Sequence, residues 1–174
     1  MSFLIRPCGR GDALALSTVA SATFVETYAG IVDGRDILAH CQTQHGAGAY
    51  EAWLGNPATP LLMATIDPGA CPIGYAMLSP PDLPVPGAEG DLELKRIYVL
   101  HRFHGDGVGL ALLEAAVEAA RAVGARRMLL GAYAENHRAI AFYKRNGFVQ
   151  VGTRVFHVGD NDYDDVVLAR DLTA

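Results

Sequence analysis

One segment carries much of the information in this chain: His104-Gly105-Asp106-Gly107-Val108-Gly109-Leu110, between an apolar strand and an apolar helix. Alternating glycines accept positive φ angles and let the backbone approach a ligand closely. Amides at the start of a helix point outward, where the helix dipole also favours negative charge. The segment therefore predicts an anion site suited to a pyrophosphate. A tight turn without a ligand is the alternative that the loop alone leaves open.

Two common nucleotide-binding loops do not match this segment. A dinucleotide-binding loop needs a glycine three residues after the second, where this chain has Leu110, and the loop lies in mid-chain. A Walker loop needs Gly-Lys-Ser/Thr, which is absent. A nucleotide-dependent transferase is disfavoured for the same reason.

Upstream of the loop, helical and strand patterns alternate. Strands are predicted over 2–6, 61–66, 73–79 and 91–100, and helices over 12–28 and 34–54, the second broken near 45–48. Asp12 is a candidate cap of the first helix. The apolar face of that helix comprises Leu16, Val19, Ala20, Thr23 and Phe24. The Pro-rich stretch 79–90 supplies few amide donors, which predicts a long loop inside one domain.

Downstream of the loop, a helix is predicted to about Val123, with Gly124 as its C-terminal cap. A strand over 127–133, a helix over 136–145 and a hairpin of strands 148–158 and 163–172 follow, the hairpin turning over 159–162. About seven strands and four helices in mixed order predict one α/β domain spanning residues 1–174.

Composition excludes several classes of protein. The net charge of −5 argues against nonspecific nucleic-acid binding. Three widely spaced cysteines indicate reduced thiols, and no secretory leader or membrane-spanning run is present. The sequence therefore predicts a cytoplasmic protein. His101-x-x-His104 with Asp106 offers too few convergent ligands for a metal site, so no metal is expected.

A second segment begins about thirty residues after the loop: Asn136-His-Arg-Ala139-Ile-Ala-Phe142-Tyr143-Lys-Arg-Asn-Gly147-Phe148. Together the two segments resemble the GCN5-related N-acetyltransferase (GNAT) superfamily. Its pattern is Arg/Gln-x-x-Gly-x-Gly/Ala at the central helix, then an Asn, an Ala, a Phe-Tyr pair and Gly-Phe at these spacings. The likeness covers about half the chain, including 92–100 and the final hairpin. His104 departs from the Arg/Gln position and removes a fixed positive charge, which bears on CoA affinity.

The resemblance implies a three-layer α/β fold with splayed central strands and acetyl-CoA as co-substrate. The pantetheine arm would pair with backbone near Ile97, Tyr98 and Val99. Asn136 would hydrogen-bond the arm, or simply cap its helix. The pyrophosphate would lie on the loop, whose cofactor-binding residues are His104, Gly105, Asp106, Gly107, Val108, Gly109 and Leu110.

Acetyl transfer to an amine requires a neutral amine, whose formation costs on the order of 4–5 kcal/mol at neutral pH. The resemblance implies Glu93, four residues before Ile97, as the base, and Tyr143 as the acid that protonates the CoA sulfur. A Val99 amide would support the oxyanion. Alternatively, Glu93 is an ordinary exposed carboxylate, and Tyr143 is a half-buried core tyrosine. Ribosomal-protein-acetylating relatives keep a Glu at the position of Gly131, so that base is lost here.

The acceptor is expected to be a small primary amine, with polyamines first. Three features favour a polyamine: the net charge, the likeness of Phe24–Gly30 to the polyamine-acetylating branch, and a cleft edge including Glu26 and Glu93. The alternatives are a peptide N-terminus or an antibiotic amine, with the Pro80–Pro86 loop along the acceptor groove, and a noncatalytic acyl-CoA-binding module. No nucleic-acid or membrane partner is expected, and homodimerisation is left open.

Overall fold

The structure is a computed structural model that describes residues 2–159 and 161–173. Within them lie seven strands, namely β1 (Phe3–Pro7), β2 (Leu61–Ile66), β3 (Cys71–Ser79), β4 (Asp91–Val99), β5 (Arg127–Tyr133), β6 (Val149–Val158) and β7 (Asn161–Asp171). The five α-helices there are α1 (Ala13–Tyr28), α2 (Gly34–Gln44), α3 (Ala47–Leu54), α4 (Val108–Ala122) and α5 (His137–Arg145). The second predicted helical region is two helices, α2 and α3, because the chain breaks where the glycine-rich 45–48 segment predicts.

The described residues form two compact units that alternate along the chain. The first unit holds the described residues up to Leu78 together with Arg96–Ala116. The second unit holds Ser79–Lys95 and the described residues from Val117 onward. Strand β4 and helix α4 each contribute residues to both units.

The strands form one mixed sheet in the order β1-β2-β3-β4-β5-β7-β6. Strands β4 and β5 are parallel, and among the described residues they pair only where Asp91–Glu93 lie opposite Arg127–Leu129. Both strands continue beyond these residues. Strand β5 instead pairs antiparallel with β7 along its whole length. The mixed seven-stranded sheet and its short central pairing confirm the predicted GNAT-like fold with splayed central strands.

The core of the first unit lies between α1, α3 and strands β2 and β3. The predicted apolar face of α1 is buried, as Leu16, Val19, Ala20, Thr23 and Phe24 are each at most 3% exposed. Tyr50, Met63, Tyr75 and Met77 pack into the same core. Each fully buried side chain of this size contributes about 1.5–3 kcal/mol. Gly74 is required where β3 approaches β4, because a Cβ there would lie 2.8 Å from the Tyr98 carbonyl oxygen.

The core of the second unit is built on β5. Its apolar run Met128–Leu130 is at most 1% exposed, as expected for a strand covered on both faces. Val167 and Leu168 of β7 are fully buried. Helix α4 ends at the predicted Gly124, which adopts φ +82° and donates to the Arg121 carbonyl.

Asp12 is the N-cap residue of α1, as predicted, but its side chain makes no capping hydrogen bond. The Asp12 carboxylate instead binds the Arg6 guanidinium through two hydrogen bonds of 2.6 and 2.9 Å, and it also accepts from the Gly9 amide. The hydrogen bond from Arg6 is the main reason that the pKa of Asp12 lies below its ordinary value. The two-bond guanidinium pair is stronger than a bond to a neutral amide, so it determines the orientation of this side chain.

The cap predicted for α5 is confirmed. The Asn136 side-chain oxygen accepts from the Ala139 amide at 3.1 Å. The predicted 159–162 turn includes Asp160, which lies outside the described residues. Among the described residues, no helix is long and apolar enough to cross a bilayer.

Candidate active site

The glycine loop has an open side at the start of α4. Gly105 and Gly107 adopt φ +95° and +84°, which side-chain-bearing residues rarely adopt. A Cβ built on Gly105, Gly107 or Gly109 would meet no protein atom within 4 Å. Val108, by contrast, is 1% exposed and anchors the first turn of the helix in the core. The loop thus leaves open space beside the first turn of α4.

His104 ties this loop to the end of β4. Its ring nitrogen Nε2 lies 2.8 Å from the Val99 carbonyl oxygen, to which it donates. Its backbone amide donates to the His101 carbonyl at 3.0 Å. His104, at the position where the GNAT pattern has Arg or Gln, therefore connects the loop to the end of β4 through its side chain.

The end of β4 has a fixed peptide orientation. The Val99 carbonyl accepts from His104, and the Leu100 amide donates to the Ile73 carbonyl at 2.9 Å. Both polar atoms of that peptide group are thus occupied. Ile97 and Tyr98 are half-buried, and the Tyr98 ring stacks on Tyr75 at 6.0 Å. The strand segment expected to hold the pantetheine arm is therefore rigid and partly accessible.

Glu26 is exposed but bound. Its Oε2 accepts from the His101 amide at 2.9 Å. Near it in the same unit, the Tyr28 and Tyr98 hydroxyl oxygens lie 3.4 Å apart. Glu26 therefore orders the turn that follows β4 and keeps a solvent-facing carboxylate.

An aromatic cluster with two histidines lies in the first unit. The His40 ring stacks on Phe24 at 4.3 Å, and His45 Nδ1 lies 3.1 Å from the Tyr50 hydroxyl. Burial, reinforced by the charge of Arg96, lowers the pKa of His45 to about 3 and that of His40 to about 4. Both histidines are therefore neutral at pH 7.

Glu93 is buried, which differs from the exposed carboxylate expected on a cleft edge. It is 2% exposed, and its Oε2 accepts from the Asp82 amide at 2.8 Å. Its Oε1 lies 4.0 Å from the Lys95 ammonium. The Pro-rich loop covers this carboxylate because Asp82 folds back onto β4, a long-range contact that strand periodicity does not encode.

Tyr143 is 9% exposed on α5 in the second unit. Its ring contacts Phe142 and Phe148, with centroids 5.4 and 5.7 Å apart. The Phe148 amide donates to the Tyr143 carbonyl at 3.1 Å, which closes the end of the helix. The aromatic neighbours restrict the tyrosine ring to one orientation.

Comparison with known proteins identifies the family. The model of the acetyltransferase (GNAT) family matches residues 32–148. An uncharacterised N-acetyltransferase of Mycobacterium tuberculosis is 32% identical over 161 residues, which cover 92% of this chain and 98% of that protein. The chain belongs to the GNAT family. It is thus an acetyl-CoA-dependent N-acetyltransferase, which confirms the resemblance.

Solved GNAT structures share the fold. The PaiA N-acetyltransferase of Thermoplasma acidophilum, solved in complex with coenzyme A, superimposes with a TM-score of 0.76 at 22% identity, covering 98% of this chain and 99% of that one. A GCN5-related N-acetyltransferase from Rhodopseudomonas palustris gives a TM-score of 0.75 at 20% identity, covering 98% and 96%. The order of strands and helices is therefore that of the GNAT fold.

Gly131, where some GNAT relatives carry a glutamate, lies against an ion pair. A Cβ at Gly131 would lie 2.8 Å from the Arg154 guanidinium, so a side chain here would have to displace the end of the Arg154 side chain. Arg154 in turn binds Asp165 at 2.9 Å. Burial raises the pKa of Asp165, while Arg154 opposes that shift. The guanidinium of Arg154 thus occupies the space beside Gly131.

The structure groups the predicted GNAT site residues by unit. Ile97, Tyr98 and Val99 lie with the loop His104–Leu110 in the first unit, and Glu93, Asn136 and Tyr143 lie in the second. Arg96 and the two neutral histidines were not among the predicted site residues. Arg96 interrupts an apolar strand, which was a usable signal, but its contacts with α2 and α3 depend on the tertiary fold.

Proposed function

We propose that this GNAT enzyme transfers the acetyl group of acetyl-CoA directly to the primary amine of a small acceptor within a ternary complex. The observation that carries the proposal is the open side of the glycine loop at Gly105, Gly107 and Gly109. These glycines alternate through the loop, two of them have positive φ, and together they leave open space beside the first turn of α4, where the helix dipole favours an anion. A pyrophosphate at the start of α4 meets that description.

The remaining cofactor contacts are assigned to β4 and α5. The pantetheine arm is assigned to the backbone of Ile97, Tyr98 and Val99. Asn136 is assigned to the same arm through its side-chain amide, because its side-chain oxygen already caps α5. The pyrophosphate is assigned to the amides of His104, Gly105, Asp106, Gly107, Val108, Gly109 and Leu110.

Proton transfer is assigned to two side chains. The amine nitrogen attacks the thioester carbon and loses a proton, through a water molecule, to the carboxylate of Glu93. The water is needed because Glu93 is buried beneath the Pro-rich loop. As the C–S bond breaks, the sulfur takes the bonding electrons and receives the hydroxyl proton of Tyr143. Solvent returns a proton to the tyrosine and removes one from the glutamate.

The proposal extends to the whole chain, which we treat as one acetyltransferase domain spanning residues 1–174. We assign it to the cytoplasm because Cys8, Cys41 and Cys71 are all free thiols. Free thiols persist in a reducing compartment.

A polyamine acceptor now has less support. Glu93 is buried and bound to Asp82, so it does not supply an anionic cleft edge. Glu26 remains exposed, and the net charge is −5. Arg96 places a positive charge on β4 between Glu93 and Ile97, and that charge opposes a polycation.

Thiol release from acetyl-CoA across a panel of amines tests the proposal. The panel comprises polyamines, aminoglycosides, amino acids, dipeptides and longer peptides with a free N-terminus. CoA release that depends on one class of amine supports transfer. Binding of acetyl-CoA without release for any amine would favour a noncatalytic acyl-CoA-binding module.

A further inference from the structure

Arg96 carries a positive charge that no described carboxylate neutralises. Its Cζ lies 4.4 Å from the centre of the Trp53 ring. Its Nη1 donates to the Gln44 carbonyl at 3.2 Å and to the Tyr50 hydroxyl at 3.5 Å. Across residues 2–159 and 161–173, no Asp or Glu oxygen lies within 4.0 Å of this guanidinium. The charge is thus held in place by neutral groups alone.

The hydrogen bonds of Arg96 to described residues all use one nitrogen, Nη1. The edge formed by Nε and Nη2 makes none within that part of the chain. That edge matches a planar carboxylate, which it binds through two parallel hydrogen bonds. The guanidinium is half-buried against Trp53, so an anion that binds it is less screened than at an open surface.

The surroundings of Arg96 favour an anion and not a cation. The Tyr50 hydroxyl, which contacts Arg96, also contacts His45, a ring that is 1% exposed. His45 and His40 are neutral at pH 7, as derived above, so they add no competing charge. Neither histidine therefore adds a positive charge beside Arg96.

Arg96 is also close to the segment assigned to the acetyl-bearing arm. It directly precedes Ile97, and it lies on the same face of β4 as Tyr98, because alternate residues of a strand share a face. The Cα atoms of Arg96 and Val99 are separated by roughly 10 Å at the usual rise of a strand. A molecule the size of a dipeptide spans that distance.

We propose that Arg96 binds a carboxylate on the acceptor, and that the acceptor is a small amino acid or dipeptide carrying both a primary amine and a carboxylate. This inference rests on the proposed function, because it assigns the acceptor end of the same site. The edge of Nε and Nη2 holds the carboxylate, and the Trp53 ring fixes the guanidinium plane.

Matched acceptors test the proposal. Glycylglycine and glycylglycinamide share the same amine and differ only at the C-terminal group, which the peptide unit separates from the amine. The same comparison uses 5-aminovalerate and its amide. CoA release gives kcat/KM for each acceptor with the wild type, with Arg96→Gln and with Arg10→Gln. Arg10→Gln is the control, because it removes the charge of an exposed arginine in the same unit.

The wild type should prefer the carboxylate of each pair by about tenfold or more. Arg96→Gln should lose that preference while keeping its kcat/KM for the amides and its KM for acetyl-CoA, and Arg10→Gln should keep the preference. Equal use of acid and amide by the wild type overturns the inference and leaves acetyl transfer intact. A preference for the carboxylate acceptor that survives in Arg96→Gln also overturns the inference. The same holds if Arg96→Gln changes only the KM for acetyl-CoA. Absence of CoA release with every amine would instead contradict the proposed function, and this inference with it.

Discussion

Glu93 accepts a hydrogen bond from the backbone amide of Asp82, with 2.8 Å between Oε2 and the nitrogen, and the glutamate is 2% exposed. One side chain thus links β4 to the Pro-rich loop that follows β3. A carboxylate that is removed from water needs such donors, because an unpaired buried charge is costly. Any role of Glu93 as a base is therefore combined with a role in holding this loop.

Glu93→Gln separates these two roles. A glutamine keeps an oxygen that accepts from Asp82, but it cannot take a proton from the amine. We expect kcat/KM to fall by about 10²- to 10⁴-fold and the acidic limb of its pH profile to flatten. The measurement is kcat/KM against pH for wild type and variant.

Glu93→Ala is the comparison, because it removes both the base and the acceptor of the Asp82 amide. It should lose thermal stability that Glu93→Gln retains, by roughly 1–3 kcal/mol for the unpaired amide. An acidic limb that is unchanged in Glu93→Gln would exclude Glu93 as the base.

Tyr143→Phe should lower kcat by more than about tenfold with little change in the KM for acetyl-CoA. The ring contacts with Phe142 and Phe148 survive this change, so folding should be preserved. Steady-state kinetics with Tyr163→Phe, on β7 of the same unit, provide the control. Normal turnover by Tyr143→Phe would assign the tyrosine to packing alone.

Acetyl-CoA should stabilise the wild type against heat, by roughly 2.7 kcal/mol at a hundredfold excess over Kd. Gly107→Val should abolish this gain, since its side chain would enter the space assigned to phosphate and its φ of +84° is unfavourable for valine. Gly69→Val is a matched control, because Gly69 has φ +76° and equally open surroundings. Thermal melts with and without acetyl-CoA compare the three proteins. Undiminished stabilisation of Gly107→Val would refute the phosphate assignment.

Stability should decrease as the pH falls from about 6.5 towards 4. Burial lowers the pKa of His45 to about 3, whereas an unfolded histidine titrates near 6.5. Between these values the unfolded chain binds the proton and the folded chain does not, so acid favours unfolding. The loss approaches about 1.4 kcal/mol per pH unit for this histidine and levels off near pH 3.

Urea unfolding at several pH values measures this slope. His45→Phe should reduce the slope between pH 6.5 and 4, whatever its effect on stability at pH 7. His137→Phe, which changes a histidine with an 80% exposed side chain, should leave the slope unchanged. Identical slopes in wild type and His45→Phe would contradict a buried neutral His45.

Features encoded within a few residues could be predicted from the sequence. The glycine loop, the Asn136 cap and the Gly124 helix end each depend on local conformational preferences, and the structure has all three. Asp12 lies at the predicted N-cap position of α1, but its side chain does not cap the helix because Arg6, on a separate element, supplies a stronger partner. The burial of Glu93 depends on how the Pro-rich loop folds back, which no local pattern specifies.

The surroundings of Arg96 show the same limit. Its contacts, Gln44, Tyr50 and Trp53, lie more than forty residues earlier in the chain on α2 and α3. The strand pattern revealed a charge in an apolar run. Only the packing of the first unit shows that the charge has aromatic and carbonyl partners and no described carboxylate.

We expect the acetyl group to move directly from CoA to the nitrogen of an acceptor amine. Incubation with acetyl-CoA labelled with ¹³C in the acetyl group, followed by mass spectrometry of acceptor, protein and solvent acetate, tests it most directly. Direct transfer puts label on the acceptor amine in an amount equal to the CoA released, with none covalently bound to the protein. Label recovered only as free acetate or as acetylated protein would contradict direct transfer.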